Sequence, residues 1–278
     1  MSTLNIDIRA DLIQMIPCPD YPGTPFRQYR FRSNQGPIRM APFTESSIDL
    51  RTLNEQMETY SPREIIGWAH ETFGSRLAML SSMQKTASVL THTLYAMGLT
   101  RVEIIFIDTG YHFPETLELR DRMIEKYGVN IQTCQPDKSP EEQFREYGRE
   151  LYLRDRDYQL CRQLRKEAPY LKAASRFKAV LSGLLRCEGG ARKQIPIVAV
   201  DPRTQGYKIH PLANWSREQV DEYIKAHDVL VHPLHAQGYP SIGCAPCTRA
   251  ITVGEDIRAG RWWWEDESAK ECGLHVKK

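Results

Sequence analysis

The chain has almost no net charge. Its 278 residues carry 37 Lys and Arg against 35 Asp and Glu, a formal charge of +2. That leaves no global field for holding nucleic acid. No apolar run approaches the ~20 residues that cross a bilayer. The start, Met1-Ser2-Thr3-Leu4-Asn5-Ile6-Asp7, lacks the basic stretch and apolar core of a secretion signal. Internal repeats and low-complexity tracts are also missing, and so is a disulfide framework. The seven cysteines (Cys18, Cys134, Cys161, Cys187, Cys244, Cys247 and Cys272) are odd in number and show no small-domain spacing. A reducing, cytoplasmic setting is expected, with no membrane and no nucleic acid as partner. There a close Cys pair means metal or redox chemistry.

What is present is ordinary globular composition, 41% hydrophobic and 26% charged, with enough chain for a large α/β core. Residues 1–50 are weakly patterned and hold Pro17, Pro19, Pro22, Pro25, Pro37 and Pro42, so they read as an N-terminal extension. The body opens on Ser61-Pro62-Arg63-Glu64, a cap serine, a first-turn proline and a glutamate placed to reach back. Leu77–Ser82, Val102–Ile107, Phe177–Gly183 and Ile195–Val200 read as strands. Ala87–Met97 and Glu115–Tyr127 read as helices between them, and Ser216-Arg217-Glu218-Gln219 caps another. Strand and helix in alternation predict an α/β fold with a parallel sheet covered on both faces. Ligands of such sheets sit at the C-terminal strand ends. Here those ends are Ser81-Ser82, Asp108-Thr109-Gly110 and Ser182-Gly183, small and polar enough for a phosphate or ribose. Taken singly, the same residues also make ordinary turns.

Cys244-Ala245-Pro246-Cys247 is the sharpest local signal: two thiols in a tight turn bind a metal, share a cluster or form a disulfide. Cys161 stands beside Arg162, Arg165 and Lys166, cations expected to lower its pKa and to welcome a negative cluster. Arg258 and Arg261 flank Ala259-Gly260 and suit phosphate or sulfate oxygens. The following Trp262-Trp263-Trp264 cannot all face a core. Cys272, near the terminus, reads by itself as an ordinary exposed cysteine, or as a thiol that can enter a site and leave it again to meet another protein. A zinc-binding module using Cys244, Cys247 and His232 or His235 is a different reading, with poor ligand spacing.

Four segments carry a resemblance. Ile107-Asp108-Thr109-Gly110-Tyr111-His112-Phe113-Pro114-Glu115-Thr116, Gly238 to Arg249, Gly254 to Glu265 and Lys270 to His275 resemble, in order, motifs of the adenosine 5'-phosphosulfate and 3'-phosphoadenosine 5'-phosphosulfate reductases. The resemblance spans about residues 53–275. It implies a Rossmann-like, adenine nucleotide alpha-hydrolase fold with a flexible C-terminal tail, divided as extension 1–50, nucleotide-binding domain 51–253 and cysteine-bearing segment 254–278. It implies that Cys272 attacks the sulfate sulfur, that an S-sulfocysteine forms and that thioredoxin or glutaredoxin releases sulfite. By match, Lys166, Arg258, Arg261 and His275 attend the anion. Ser81, Ser82, Asp108, Thr109 and Gly110 line the nucleotide cleft, with Arg186 on its far side. Self-association into a homo-oligomer is left open.

Members with a 4Fe–4S cluster carry four cysteines. This chain offers three, Cys161, Cys244 and Cys247, with Arg162 where the second of an adjacent pair is expected. The glycine-bearing loop after the serines reads Met83-Gln84-Lys85-Thr86, so backbone freedom is lost and Lys85 offers charge instead. Three readings follow: a reductase with a three-cysteine cluster, a cluster-free reductase, and a diverged paralogue binding a related nucleotide without reductase activity.

Overall fold

The structure is a computed structural model and describes residues 49–153 and 158–264. The extension up to residue 48, Cys18, Cys272 and His275 lie outside the described residues. Six strands form one sheet: β1 (Leu77–Ser81), β2 (Glu103–Ile107), β3 (Ile131–Cys134), β4 (Ala179–Leu181), β5 (Val198–Asp201) and β6 (Gly206–Ile209). Their order across the sheet is β3-β2-β1-β4-β6-β5. Five strands run parallel, and β5 pairs antiparallel with β6. The expected α/β fold with a parallel sheet forms, and one antiparallel strand is added at its edge. The link between β5 and β6 is turn-length, and only antiparallel neighbours can be joined by so short a link.

β1 is buried at every position, as a central strand covered on both faces must be. The helices of the described residues are α1 (Leu50–Met57), α2 (Pro62–Phe73), α3 (Lys85–Ala96), α4 (Pro114–Tyr127), α5 (Pro140–Tyr147), α6 (Tyr158–Arg162), α7 (Ala168–Ala174) and α8 (Arg217–Ala226); α1, α2, α3 and α7 pack on the strands, and α8 packs on α3. The expected caps form. Ser61 and Glu64 make a capping box on α2, and Ser216 and Gln219 make one on α8. Ser139 and Glu142 make a third on α5. On one sheet face Tyr170, Ala173 and Ala174 of α7 pack on Ala78, Leu80, Ile105, Ile107 and Val180. Each large apolar side chain so buried contributes about 1.5–3 kcal/mol. The amide of Asn54 on α1 exchanges bonds of 2.8 and 2.9 Å with the backbone of Val198, covering part of the β5 edge.

The topology positions the site. From β1 the chain steps outward through β2 to β3, then returns to lay β4 on the other side of β1. The segments leaving β1 and β4 part in opposite directions, and a crevice opens at their C-terminal ends.

Several histidines are buried in the neutral form. Burial pushes His210 down to about 3, and pushes His92 and His232 down to about 4. Each has a folded pKa below its unfolded value, so its stability contribution is complete above ~6.5 and is lost as pH falls. Urea unfolding at pH 7 and pH 5.5 should show a fall of up to ~1.4 kcal/mol per pH unit for each histidine. Equal unfolding free energies at the two pH values would contradict their burial as neutral rings.

Candidate active site

A cavity of about 380 Å³ occupies the crevice. Ser81 and Ser82 line it at the end of β1, Thr109 after β2, and Ser182 and Gly183 after β4. Gly183 is needed for closeness, since a Cβ there would stand 2.7 Å from Thr86 Oγ1 at the start of α3. The side chain of Gln84, at the α3 N-cap, makes no capping bond. Its amide is spent on Ile242 instead, donating to the carbonyl at 2.6 Å and accepting from the N–H at 3.0 Å. The turn needs no glycine. Met83 takes the left-handed conformation (φ +54°) and is fully buried. Lys85 does face the cavity, but its ammonium pairs with Asp221 at 2.7 Å.

The other end of the cavity is cationic. Lys166, Arg258 and Arg261 line it together with Trp262. Lys166 is delivered by a widened turn, Gln163–Glu167, that joins α6 to α7, with Ala168 N–H donating to Gln163 O five residues back. Pro169 has no N–H to give to the Arg165 carbonyl, so the regular ladder is broken there. Arg165 in the same turn is buried and serves the scaffold. Its guanidinium donates to the carbonyls of Thr109 and Lys138 and to Gln143 Oε1, and it lies 5.1 Å over the Tyr111 ring. The basic run around Cys161 did not reveal that scaffolding role.

Arg261 is also buried. Its Nη1 donates to Ile242 O at 2.8 Å, and its guanidinium carbon sits 4.6 Å from the Trp262 ring centre. The group lies flat on Gly243, where a Cβ would come 2.2 Å from Nη2. The backbone folds back to bring it there, with Arg249 N–H donating to Gly260 O and Trp262 N–H to Cys247 O. The three tryptophans divide as expected: Trp262 is buried, while Trp263 is 46% exposed and meets Trp264 edge-on at 4.5 Å.

Beside the cationic end lies a thiol corner. Cys161, Cys244 and Cys247 converge there, walled by Tyr111, Tyr152, Tyr158 and Trp262. Lys166 and Trp262 belong to both the corner and the main cavity. Thr109 Oγ1 lies 3.2 Å from Cys244 Sγ. Contrary to expectation, the Cys161 thiol is pushed up to about 12, by burial first and then by Cys244 and Cys247. Lys166 and Arg165 offset only part of this. Burial likewise pushes Cys247 up to about 11. Arg162 stacks its guanidinium over Trp262 at 5.4 Å and over Tyr158 at 6.0 Å. Among the described residues no three His, Cys, Asp or Glu side chains gather closely enough to hold one metal ion. The histidines of the zinc reading are directed elsewhere: His232 bonds Thr116 and Leu234 N, and His235 bonds Tyr239 O.

Three sequence candidates stand off the cavity. Asp108 accepts from Gly110 N at 2.9 Å and from Gln135 at 3.3 Å, closing its own loop. Gly110, at φ +73°, faces Pro140 and Arg165. Arg186 is taken by both carboxylate oxygens of Glu58, at 2.8 and 2.9 Å, and by Asn214 and Ile195 O. Missing from the sequence reading were Gln84 and Ile242, whose pairing is long-range and leaves no local pattern.

Fold and site together give an α/β protein with a cavity at its strand ends, cations along one part of it and a cysteine corner beside them. Residues 76–250 match the phosphoadenosine phosphosulfate reductase domain, and the chain belongs to that family. It is similar to the adenosine 5'-phosphosulfate reductase of Streptomyces coelicolor, 44% identical over 220 residues, covering 79% of this chain and 90% of that protein. The enzyme of the same name from Rhodococcus opacus is 39% identical over 240 residues, covering 82% and 95%. Among solved structures, the phosphoadenylyl-sulfate reductase of Candida auris in a phosphate complex superposes with a TM-score of 0.65 at 28% identity, over 75% of this chain and 100% of that one.

Gly243→Ala should displace the Arg261 guanidinium, which is the flexible end of a side chain, while backbone strain stays small. A fall in kcat/KM of about ten-fold with a Tm within a few degrees of the parent is expected. A normal kcat/KM would mean that the flat stacking is dispensable.

Proposed function

We propose that this chain reduces adenosine 5'-phosphosulfate to sulfite and AMP, with Cys272 as nucleophile and a thioredoxin or glutaredoxin as thiol donor. The carrying observation is the convergence of Lys166, Arg258 and Arg261 on the end of a strand-end cavity whose other end offers hydroxyls and uncapped helix amides. Such a cavity suits a nucleoside bearing adjacent anions. The names of the relatives at 35–44% identity support the same substrate.

In this reading the Cys272 thiolate attacks the sulfur of the sulfonate. The bond from that sulfur to the bridging phosphate oxygen breaks, and AMP leaves with its electron pair. Lys166 and Arg261 stabilise charge as it moves onto the phosphate, and Arg258 closes the outer side. A thiolate of the donor protein then attacks the Cys272 sulfur, sulfite departs and a mixed disulfide forms. The donor's second thiol resolves it and restores Cys272. His275 accompanies Cys272 toward the anion.

The thiol corner suits an iron–sulfur cluster at three corners. The donors are soft, they converge, and Arg162, Arg165 and Lys166 surround them with positive charge. Cys161, Cys244 and Cys247 would hold it, with Arg162 at the corner that lacks a thiolate. A cluster held there would supply charge close to Lys166, which lines both the corner and the main cavity. A 4Fe–4S cluster requires about four irons per chain in protein purified without oxygen, lost in Cys161→Ala. Iron near zero in the parent protein would leave a cluster-free reductase.

Cys272→Ser should abolish sulfite release and keep nucleotide affinity within about two-fold. Equal loss of both would remove Cys272 from the nucleophile's role.

A further inference from the structure

The turn after β1 and the segment that carries Arg261 are far apart in sequence, yet one side chain joins them. Gln84 Nε2 donates to Ile242 O at 2.6 Å, and Ile242 N–H donates to Gln84 Oε1 at 3.0 Å. The same Ile242 oxygen accepts Arg261 Nη1 at 2.8 Å. One carbonyl is thus shared between a nucleotide-turn amide and an anion-end guanidinium. Gly243, the next residue, is the floor on which that guanidinium lies. Its N–H is held in turn by Thr248 Oγ1 at 3.1 Å.

We infer that Gln84 is a positioning residue for the anion end of the site: its paired bond to Ile242 fixes the carbonyl and the Gly243 floor that aim Arg261 into the cavity. The inference rests on the reading that Arg261 holds the substrate's anion.

The physical case has three parts. The first is geometric. At neutral pH, where a carboxylate only accepts, the Gln84 amide both donates to and accepts from the Ile242 backbone, so the register of Ile242 is set from both sides. The second is energetic. Ile242 is buried, so its N–H and C=O must be paired with protein, and removing Gln84 strips one partner from each. The third is local strain. The turn holds Met83 at φ +54° with its side chain fully buried, a conformation that favours glycine and persists only where neighbours over-determine it. Gln84 is the next residue, and its clamp is one such constraint. Residues on β1's turn are thereby made to work on a group more than 150 positions away, without touching the anion.

The test is a double-mutant cycle on the full chain, with sulfite release from adenosine 5'-phosphosulfate as the assay and dithiothreitol or thioredoxin as donor. Gln84→Met keeps length and loses both bonds. It should lower kcat/KM about ten-fold, the worth of one or two hydrogen bonds. Gln84 also lines the cavity, so inhibition by adenosine, which carries no anion, should weaken by clearly less than turnover does. Arg261→Ala should cost more, and the double variant should be no worse than Arg261→Ala alone, since Gln84 acts through Arg261. Gln84→Glu retains the acceptor but sets a carboxylate against the Ile242 carbonyl, so it should lose at least as much as Gln84→Met.

Additive losses, or adenosine inhibition weakened as much as turnover, would reduce Gln84 to a structural residue and overturn the inference. Full activity in Gln84→Glu would overturn it too, even if Gln84→Met fails to fold. Unchanged kcat/KM in Arg261→Ala would instead bring down the assignment of Arg261 to the anion, and the inference with it.

Discussion

Positive charge must be gathered at one end of the cavity and kept usable, and that constraint shapes the surrounding structure. Carboxylates would hold the cations but cancel them. The buried Arg165 is held instead by two main-chain carbonyls, a Gln side chain and a tyrosine face. Arg261 is oriented by the Ile242 carbonyl and the Trp262 ring, and Arg162 stacks between Tyr158 and Trp262. Carbonyls and rings are acceptors without net charge, so these contacts fix the direction of each guanidinium without adding a negative charge of their own. On the opposite rim the contacts are of another kind, with Lys85 on Asp221 and Arg192 on Glu188. Burial first, then the neighbouring cysteines, push the Cys161 and Cys247 thiols up, and the nearby cations offset only part of this.

Much of this was legible in the sequence where the signal is local. Ser61 with Glu64 and Ser216 with Gln219 announced their helices, and the apolar runs at Leu77 and Val102 announced β1 and β2. Ser139-Pro140-Glu141-Glu142 carried the same capping signal and was passed over. β3 and β6 have four residues each, and β3 turns Gln132 and Thr133 outward, so neither shows an apolar run. The antiparallel direction of β5 is a property of its partner and its turn. It cannot be read from Ile195 to Val200.

The site divides the same way. The motifs located Ser81, Ser82, Thr109, Lys166, Arg258 and Arg261, and the fold brings these six to one cavity. The same motifs also proposed Asp108, Gly110 and Arg186, which the fold assigns to loop closure, close packing and an ion pair with Glu58. Membership of a motif says that a residue is near the site. Which way it faces is decided by contacts with distant segments. The Cys161 pKa failed for a related reason: neighbouring charges can be counted along the chain, but burial cannot, and burial was the larger effect.

The turn after β1 shows how such distant contacts change what a local sequence can do. Met83-Gln84-Lys85-Thr86 has no glycine, and by local rules a left-handed residue there is costly, of order 1–3 kcal/mol. The chain adopts it nonetheless, at Met83. Burial of the Met83 side chain and the Gln84 bonds to Ile242 are available to offset that cost, and glycine could supply neither. A glycine loop would free the backbone to approach a phosphate. The present loop gives up that freedom for a rigid link from the β1 end to the residues that hold Arg261. The β1 turn and the segment that carries Arg261 are therefore one connected surface, and a shift of the Ile242 backbone reaches Gln84 and Arg261 together.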